Sequence, residues 1–278
     1  KGLSFAKITP NVAPNGTTSH FVTGTPNPVT YAVDPTVLTY LNAFFPNQSG
    51  VVNGKSVCAI TPVPGTPNEN LCSWGANQVS TENYYIIRAD HTISEKDSIS
   101  GTFFRDTSTT GTPDEFNNKV VDTAQNSTFA TVSWTHSFSA TLVNSARFGY
   151  HRDFQGGPAG ATAINPKTTD TSFGAIPGFD APQVFFGGNA IFTGGVTSFT
   201  PQVNHFNTYQ FYDDAFWVKG KHSLKFGFSM EKDQLNDIRS PRPGGVFTYT
   251  GGAAGMDAFL QNAGGKITTD LPGLVAPV

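Results

Sequence analysis

The chain is 278 residues long, with 29 Gly, 19 Pro and 24 Phe, and its 17 basic and 20 acidic side chains leave a net charge of −3. Charged residues make up 13%, about half the usual share of roughly 25%; with the surplus of Gly and Pro, this excludes a helical bundle, a coiled coil and an α/β nucleotide-binding domain. The 37% hydrophobic content excludes a disordered chain, and without any block of like charge the sequence shows neither a nucleic-acid nor an anionic-lipid footprint.

The chain opens at Lys1 with no Met and no secretory signal, which reads as a mature or cut product. Residues 1–80 are rich in Pro, Gly, Asn and Thr and are expected to be a loop-rich segment with one short helix at 34–45. There Asp34 can cap, Pro35 takes the first helical position, Val37, Leu38, Leu41, Phe44 and Phe45 form one face, and Pro46 stops the helix. Cys58 and Cys72, the only cysteines, lie in one Pro/Gly/Asn-rich loop. In an oxidising compartment they pair and close a loop for which chain entropy gives about 3 kcal/mol; in a reducing one they are two thiols.

From residue 81 to 250 the period changes to two, as in antiparallel strands. Tyr85, Ile87, Ala89, His91 and Ile93 alternate with Tyr84, Ile86, Arg88, Asp90 and Thr92, and a Ser94–Asp97 turn leads to Ile99, Gly101 and Phe103. A second hairpin runs from Ala130 to His136 and returns through Leu142 to Tyr150. A third runs from Phe206 to Val218 and returns after Lys219-Gly220-Lys221 through His222 to Met230. Turns inside hairpins take two to four residues, whereas the connections Asp106–Ser127 and Asp153–Asn204 read as long loops. Residues 251–278 read as a loop-rich tail. Short turns at one end and long loops at the other are the layout of an outer-membrane barrel, and strands of about ten residues suit a tilted bilayer crossing. A soluble β-sandwich also alternates but seldom segregates its loops so strictly. The fold class is therefore all-β: antiparallel hairpins with long loops, a partial outer-membrane-type barrel and one short helix.

These hairpins resemble the barrel region of TonB-dependent outer-membrane receptors of the Oar-like subgroup, over about residues 30–250. The resemblance is carried by Arg88-Ala89-Asp90-His91-Thr92-Ile93-Ser94 with Ser100-Gly101-Thr102-Phe103, by Asn144-Ser145-Ala146-Arg147-Phe148-Gly149-Tyr150, and above all by Tyr212-Asp213-Asp214-Ala215-Phe216-Trp217 with Lys219-Gly220-Lys221-His222-Ser223-Leu224-Lys225-Phe226-Gly227. It implies uptake of a bulky nutrient across the outer membrane, with the remainder of the receptor and a TonB protein as partners. It also implies an oxidising location in which Cys58 and Cys72 pair. Neither a TonB box nor a plug is recognisable, and six strands fall below the roughly eight of the smallest closed barrel. An alternative is a receptor-derived extracellular fibre or tube whose partners are copies of itself, joined through unpaired strand edges.

No GxGxxG, GxSxG or HExxH pattern occurs, so neither an enzyme nor a cofactor is expected. The two Asp-Thr-Ser triplets at 106 and 170 are the nearest approach to an aspartic-protease dyad, but Asp170 lacks the preceding hydrophobic strand. His91, His136 and His222 fall on apolar faces near turns, as at a bilayer interface. Arg88, Asp90, Arg147, Lys225 and Glu231 fall on the polar strand faces and are expected to line the lumen side of a barrel wall.

Overall fold

The computed structural model describes residues 2–114, 116–156, 161–186, 193–194, 202–239, 244–249 and 253–268. It is built from a long antiparallel sheet, here the wall, and a headpiece at one end of it. The wall strands, in chain order, are Val79–Thr92, Asp97–Pro113, Lys119–Ser139, Leu142–Gly156, Gln202–Lys219 and His222–Arg239. Each pairs antiparallel with the next, so spatial order equals chain order and the first and sixth strands are free edges among the described residues. The short segment Ala161–Ala163 adds to the start of the third strand.

Connections at the lower end are short because the sequence supplies turn residues there. Gly220 at φ 60 takes the left-handed position of the two-residue turn before Lys221, a conformation costly for residues with a Cβ. The hairpin positions match the alternation in the sequence, but both expected long loops hold more regular structure than that reading gave them. In the stretch Asp153–Asn204 the wall strands continue to Gly156 and begin again at Gln202, with short strands at Ala161–Ala163 and Gln183–Phe186, while residues 157–160, 187–192 and 195–201 lie outside the described residues. The stretch Asp106–Ser127, expected as a long loop, is mostly strand: the second wall strand runs to Pro113 and the third begins at Lys119. Its Thr, Ser, Asn and Gln side chains are polar on both faces, so the period of two carries no hydropathy signal there.

Helix α1 spans Pro35–Phe44. Asp34 caps it by accepting from the amides of Thr36 (2.9 Å) and Val37 (3.3 Å), and Val37, Leu41 and Phe44 bury one face. A second helix, α2 (Ala253–Leu260), lies in the stretch expected as a loop-rich tail. Its small, glycine-containing sequence has no cap signature, and packing sustains it. Residues 1–80 also hold more strand than expected: Gly2–Pro10 pairs with Glu69–Asn77, which in turn pairs with Ala59–Pro62.

The hydrophobic core lies in the headpiece, outside the wall. It joins Val37, Leu41, Phe44 and Phe45 to Cys72, Phe116 and, on α2, Met256, Phe259 and Leu260. Phe116, at the tip of the reversal between the second and third wall strands, is 2% exposed and packs on Phe45 and Trp74 with ring centroids 5.7 and 5.9 Å apart. Three asparagines from distant segments satisfy the last carbonyls of α1: Asn53 and Asn165 donate to Ala43 O (2.9 and 2.8 Å), and Asn118 donates to Phe44 O (3.1 Å). Helix ends leave such acceptors unpaired, and burial makes the pairing obligatory.

Candidate functional site

Side chains alternate across the wall, and the continuous register turns that alternation into two chemically different faces. On one face the row Ala89, Gly101, Val132, Phe148, Phe211, Met230 runs across all six strands, followed by the row His91, Ile99, Trp134, Ala146, Asp213, Phe228. Ile87 and Phe228 are each 62% exposed and Met230 58%. A sheet face this apolar is not stable against water.

Aromatic rings bound this face at both ends. At the headpiece end Tyr85 approaches Phe103 (6.0 Å between centroids) and Tyr150 approaches Tyr209 (5.2 Å). At the short-turn end His136 lies tilted against Trp134 and edge-to-face with Phe138, with centroid separations of 5.7 and 4.5 Å, and Lys219 Nζ lies 4.9 Å from the Trp217 ring centre. Asp97 ties this lower belt together by accepting from Trp134 Nε1 (3.1 Å) and pairing with His136 Nδ1 (2.6 Å). Tyr209 to Trp217, belt to belt, is a span that matches the nine to eleven residues of a tilted membrane-crossing strand.

The opposite face is polar, and the register places Arg88, Asp90, Arg147, Lys225 and Glu231 on it. Arg88 and Asp90 form a bidentate pair (2.7 and 2.9 Å). Arg147 and Lys225 converge on one carboxylate, Asp214, at 2.9 and 3.7 Å, while Glu231 accepts from Gln210 at 2.5 Å. Asp214 is not among the polar-face charges read from the sequence, where alternation already separates it from Asp213 and so argues against a joint cation site. The strand sends the two to opposite faces, and Asp213 accepts from Asn144 (2.9 Å).

Cys58 and Cys72 form a disulfide. It fixes the segment after the Asn53-Gly54 turn to the strand Glu69–Asn77, where Cys72 is fully buried. Elsewhere in the headpiece Tyr31 donates to Asp257 on α2, with His20 Nδ1 3.4 Å from the same carboxylate. Burial, and then the Asp257 carboxylate, push ionisation of Tyr31 far above its usual range. Burial pulls the Lys119 ammonium down, against the pull of Asp180 and Asp114.

The two Asp-Thr-Ser triplets have separate uses. Asp106 sits in the second wall strand, whereas Asp170 accepts from Ser172 N at 2.9 Å and caps a 3-10 turn. Among the described residues no group of three His, Cys, Asp or Glu is placed to hold a metal ion, and no helix is long and apolar enough to cross a membrane.

An open antiparallel wall with an apolar outer band between two aromatic belts and a charged inner face defines an outer-membrane β-barrel protein. The comparison with protein families agrees: residues 3–272 match the family described as the outer membrane beta barrel domain, and the chain belongs to it. No curated protein matches the chain.

Proposed function

We propose that the chain is a non-catalytic part of a TonB-dependent, Oar-like receptor barrel serving uptake of a bulky nutrient across the outer membrane. The remainder of the receptor would complete the barrel, and a TonB protein would power it. The observation that carries this reading is a six-stranded wall, lipid-compatible on one face and ion-paired on the other, whose two edges are free among the described residues. Six strands make an arc, and a lumen wide enough for a bulky nutrient needs many more. The order of the hairpin motifs favours this receptor class over other barrels.

Deleting the gene in the source cell tests it. Growth on large nutrients, such as oligosaccharides or chelated iron, should fail to the same extent as when TonB is removed. A deletion whose growth defect is independent of TonB overturns the receptor reading.

The free edges also support a second reading, a fibre or tube assembled edge to edge. The first wall strand runs away from the headpiece and the sixth runs towards it, so edges of two copies can meet antiparallel. Filaments in negative-stain images of the chain without detergent would favour assembly. Their absence at high concentration would exclude it.

A further inference from the structure

The headpiece holds a cavity of about 620 Å³, within the roughly 300–1,000 Å³ of small-molecule sites. Its walls come from the first half of α1, the 3-10 turn Thr171–Phe173, the paired strands Gln183–Phe186 and Val246–Tyr249, and the end of α2 with the turn after it. Five aromatic side chains line it, Tyr40, Phe173, Phe247, Tyr249 and Phe259, and among the described residues no charged one does. The short polar side chains Thr36, Thr39, Ser172 and Asn262 are exposed, whereas Val184, Tyr249 and Phe259 are buried, so the interior is aromatic and the mouth polar. These walls are set in place. Tyr40 donates to Pro182 O (2.5 Å), Phe173 meets Phe44 edge to face (5.1 Å between centroids), and Tyr249 meets Phe259 in the same way (5.4 Å). A Cβ on Gly265 would lie 2.6 Å from the Tyr249 ring, so that ring packs directly on glycine backbone. A ligand has little ordering to supply in such a site.

The lining selects the chemistry of the ligand. The first turn of α1 would attract an anion, but Asp34 already accepts from the Thr36 and Val37 amides there. Burial, and then the same Asp34 carboxylate, raise the Tyr249 hydroxyl above its usual ionisation range, so a second negative charge is unwelcome. A compact cation fits no better: no carboxylate lines the interior, and a cavity this wide cannot keep several rings within the roughly 6 Å that cation attraction needs. A sugar would bury many hydroxyls among rings that offer few partners, at a cost for each. An aromatic ring, by contrast, packs well among other rings, and a single hydroxyl on it can reach the polar mouth. We propose that the headpiece cavity is a binding site for a neutral, phenol-type aromatic compound, held with its ring between Phe173, Phe247 and Tyr249. The site stands whether or not the chain serves nutrient uptake.

The test uses the full-length protein held in amphipol, with the polymer alone as blank. Naphthol should bind saturably, read as a shift in its own fluorescence. Naphthoate should bind at least about tenfold more weakly, because its carboxylate would be buried without a partner, and neither maltose nor choline should displace naphthol. Thr39→Trp, which fills the mouth from an exposed position on α1, should abolish the saturable signal. Phe247→Leu keeps the wall apolar but removes one ring, and should weaken binding about fivefold. Thr23→Trp, at an exposed turn outside the cavity lining, should keep wild-type affinity. The urea midpoint of the circular-dichroism signal checks folding; where Thr39→Trp fails that check, Phe247→Leu decides. Five outcomes overturn the proposal: no saturable binding to the folded protein, unchanged affinity in the deciding variant, an equal loss in Thr23→Trp, naphthoate binding as tightly as naphthol, and displacement by maltose or choline.

Discussion

Single side chains decide how the wall meets the headpiece. Phe116 is the clearest case, because a tight reversal of two polar strands ends in a fully enclosed ring. Phe116→Ala should cost about 3–5 kcal/mol by loss of burial and creation of a cavity, read as an earlier urea midpoint in the Trp74 fluorescence. Asn118→Ala should cost about 1–3 kcal/mol in the same assay, since it strands the buried carbonyl of Phe44. By contrast Asp214→Asn should change stability by no more than about 1 kcal/mol, although two cations lose their partner. The Arg147 and Lys225 side chains are 53% and 60% exposed, so water replaces most of what is lost. None of these three roles was legible in the sequence. Phe116 looked like one aromatic in a Thr-rich loop, and Asn118 one asparagine among many; tertiary packing alone singles them out.

At the scale of elements, legibility follows the contrast between a segment's two faces. The membrane-crossing parts of the six strands alternate between lipid and lumen, and their pairing and short turns could be read directly. Helix α1 could be read because its cap, its proline and its apolar spacing all agree. The upper strands and α2 lack such contrast and were missed. The outer face has a sharp consequence: Phe228→Lys places an ammonium near the middle of the apolar band and should cost about 2–4 kcal/mol of insertion into lipid. Ser229→Lys, one residue on and facing the polar side, should cost little. Refolding both variants into vesicles and titrating with urea checks this, and equal costs would mean the faces are assigned wrongly. The disulfide acts on another element. Cys58→Ser with Cys72→Ser should lower headpiece stability by about 3 kcal/mol and leave strand insertion unchanged, seen as faster proteolysis within residues 50–62 alone.

The whole molecule joins two parts with different solvents. Its buried core belongs to the headpiece, where the disulfide, the aromatic cluster and the asparagine contacts all work in water. The wall, with outward residues such as Ile87 and Phe228 largely exposed, has no core of its own; its outer face is stable only against acyl chains or another protein, and its edges only when paired. The first strand is exposed along its whole length, so it and the sixth strand have the least to lose on opening, while the middle strands keep ladders on both sides. Local stability should therefore fall from headpiece to middle strands to edge strands. Limited proteolysis of the chain in detergent-free buffer should cut first within Val79–Thr92 and His222–Arg239, and leave the headpiece segments associated. Adding lipid vesicles should protect the outer face but not the two edges, because lipid supplies no backbone hydrogen bonds. Protection of both edges as well would require strand partners, and their identity, another copy or the rest of a receptor, follows from the mass of the protected species. Uniform resistance with lipid absent would contradict the division, since it would require a second core that the described residues do not contain.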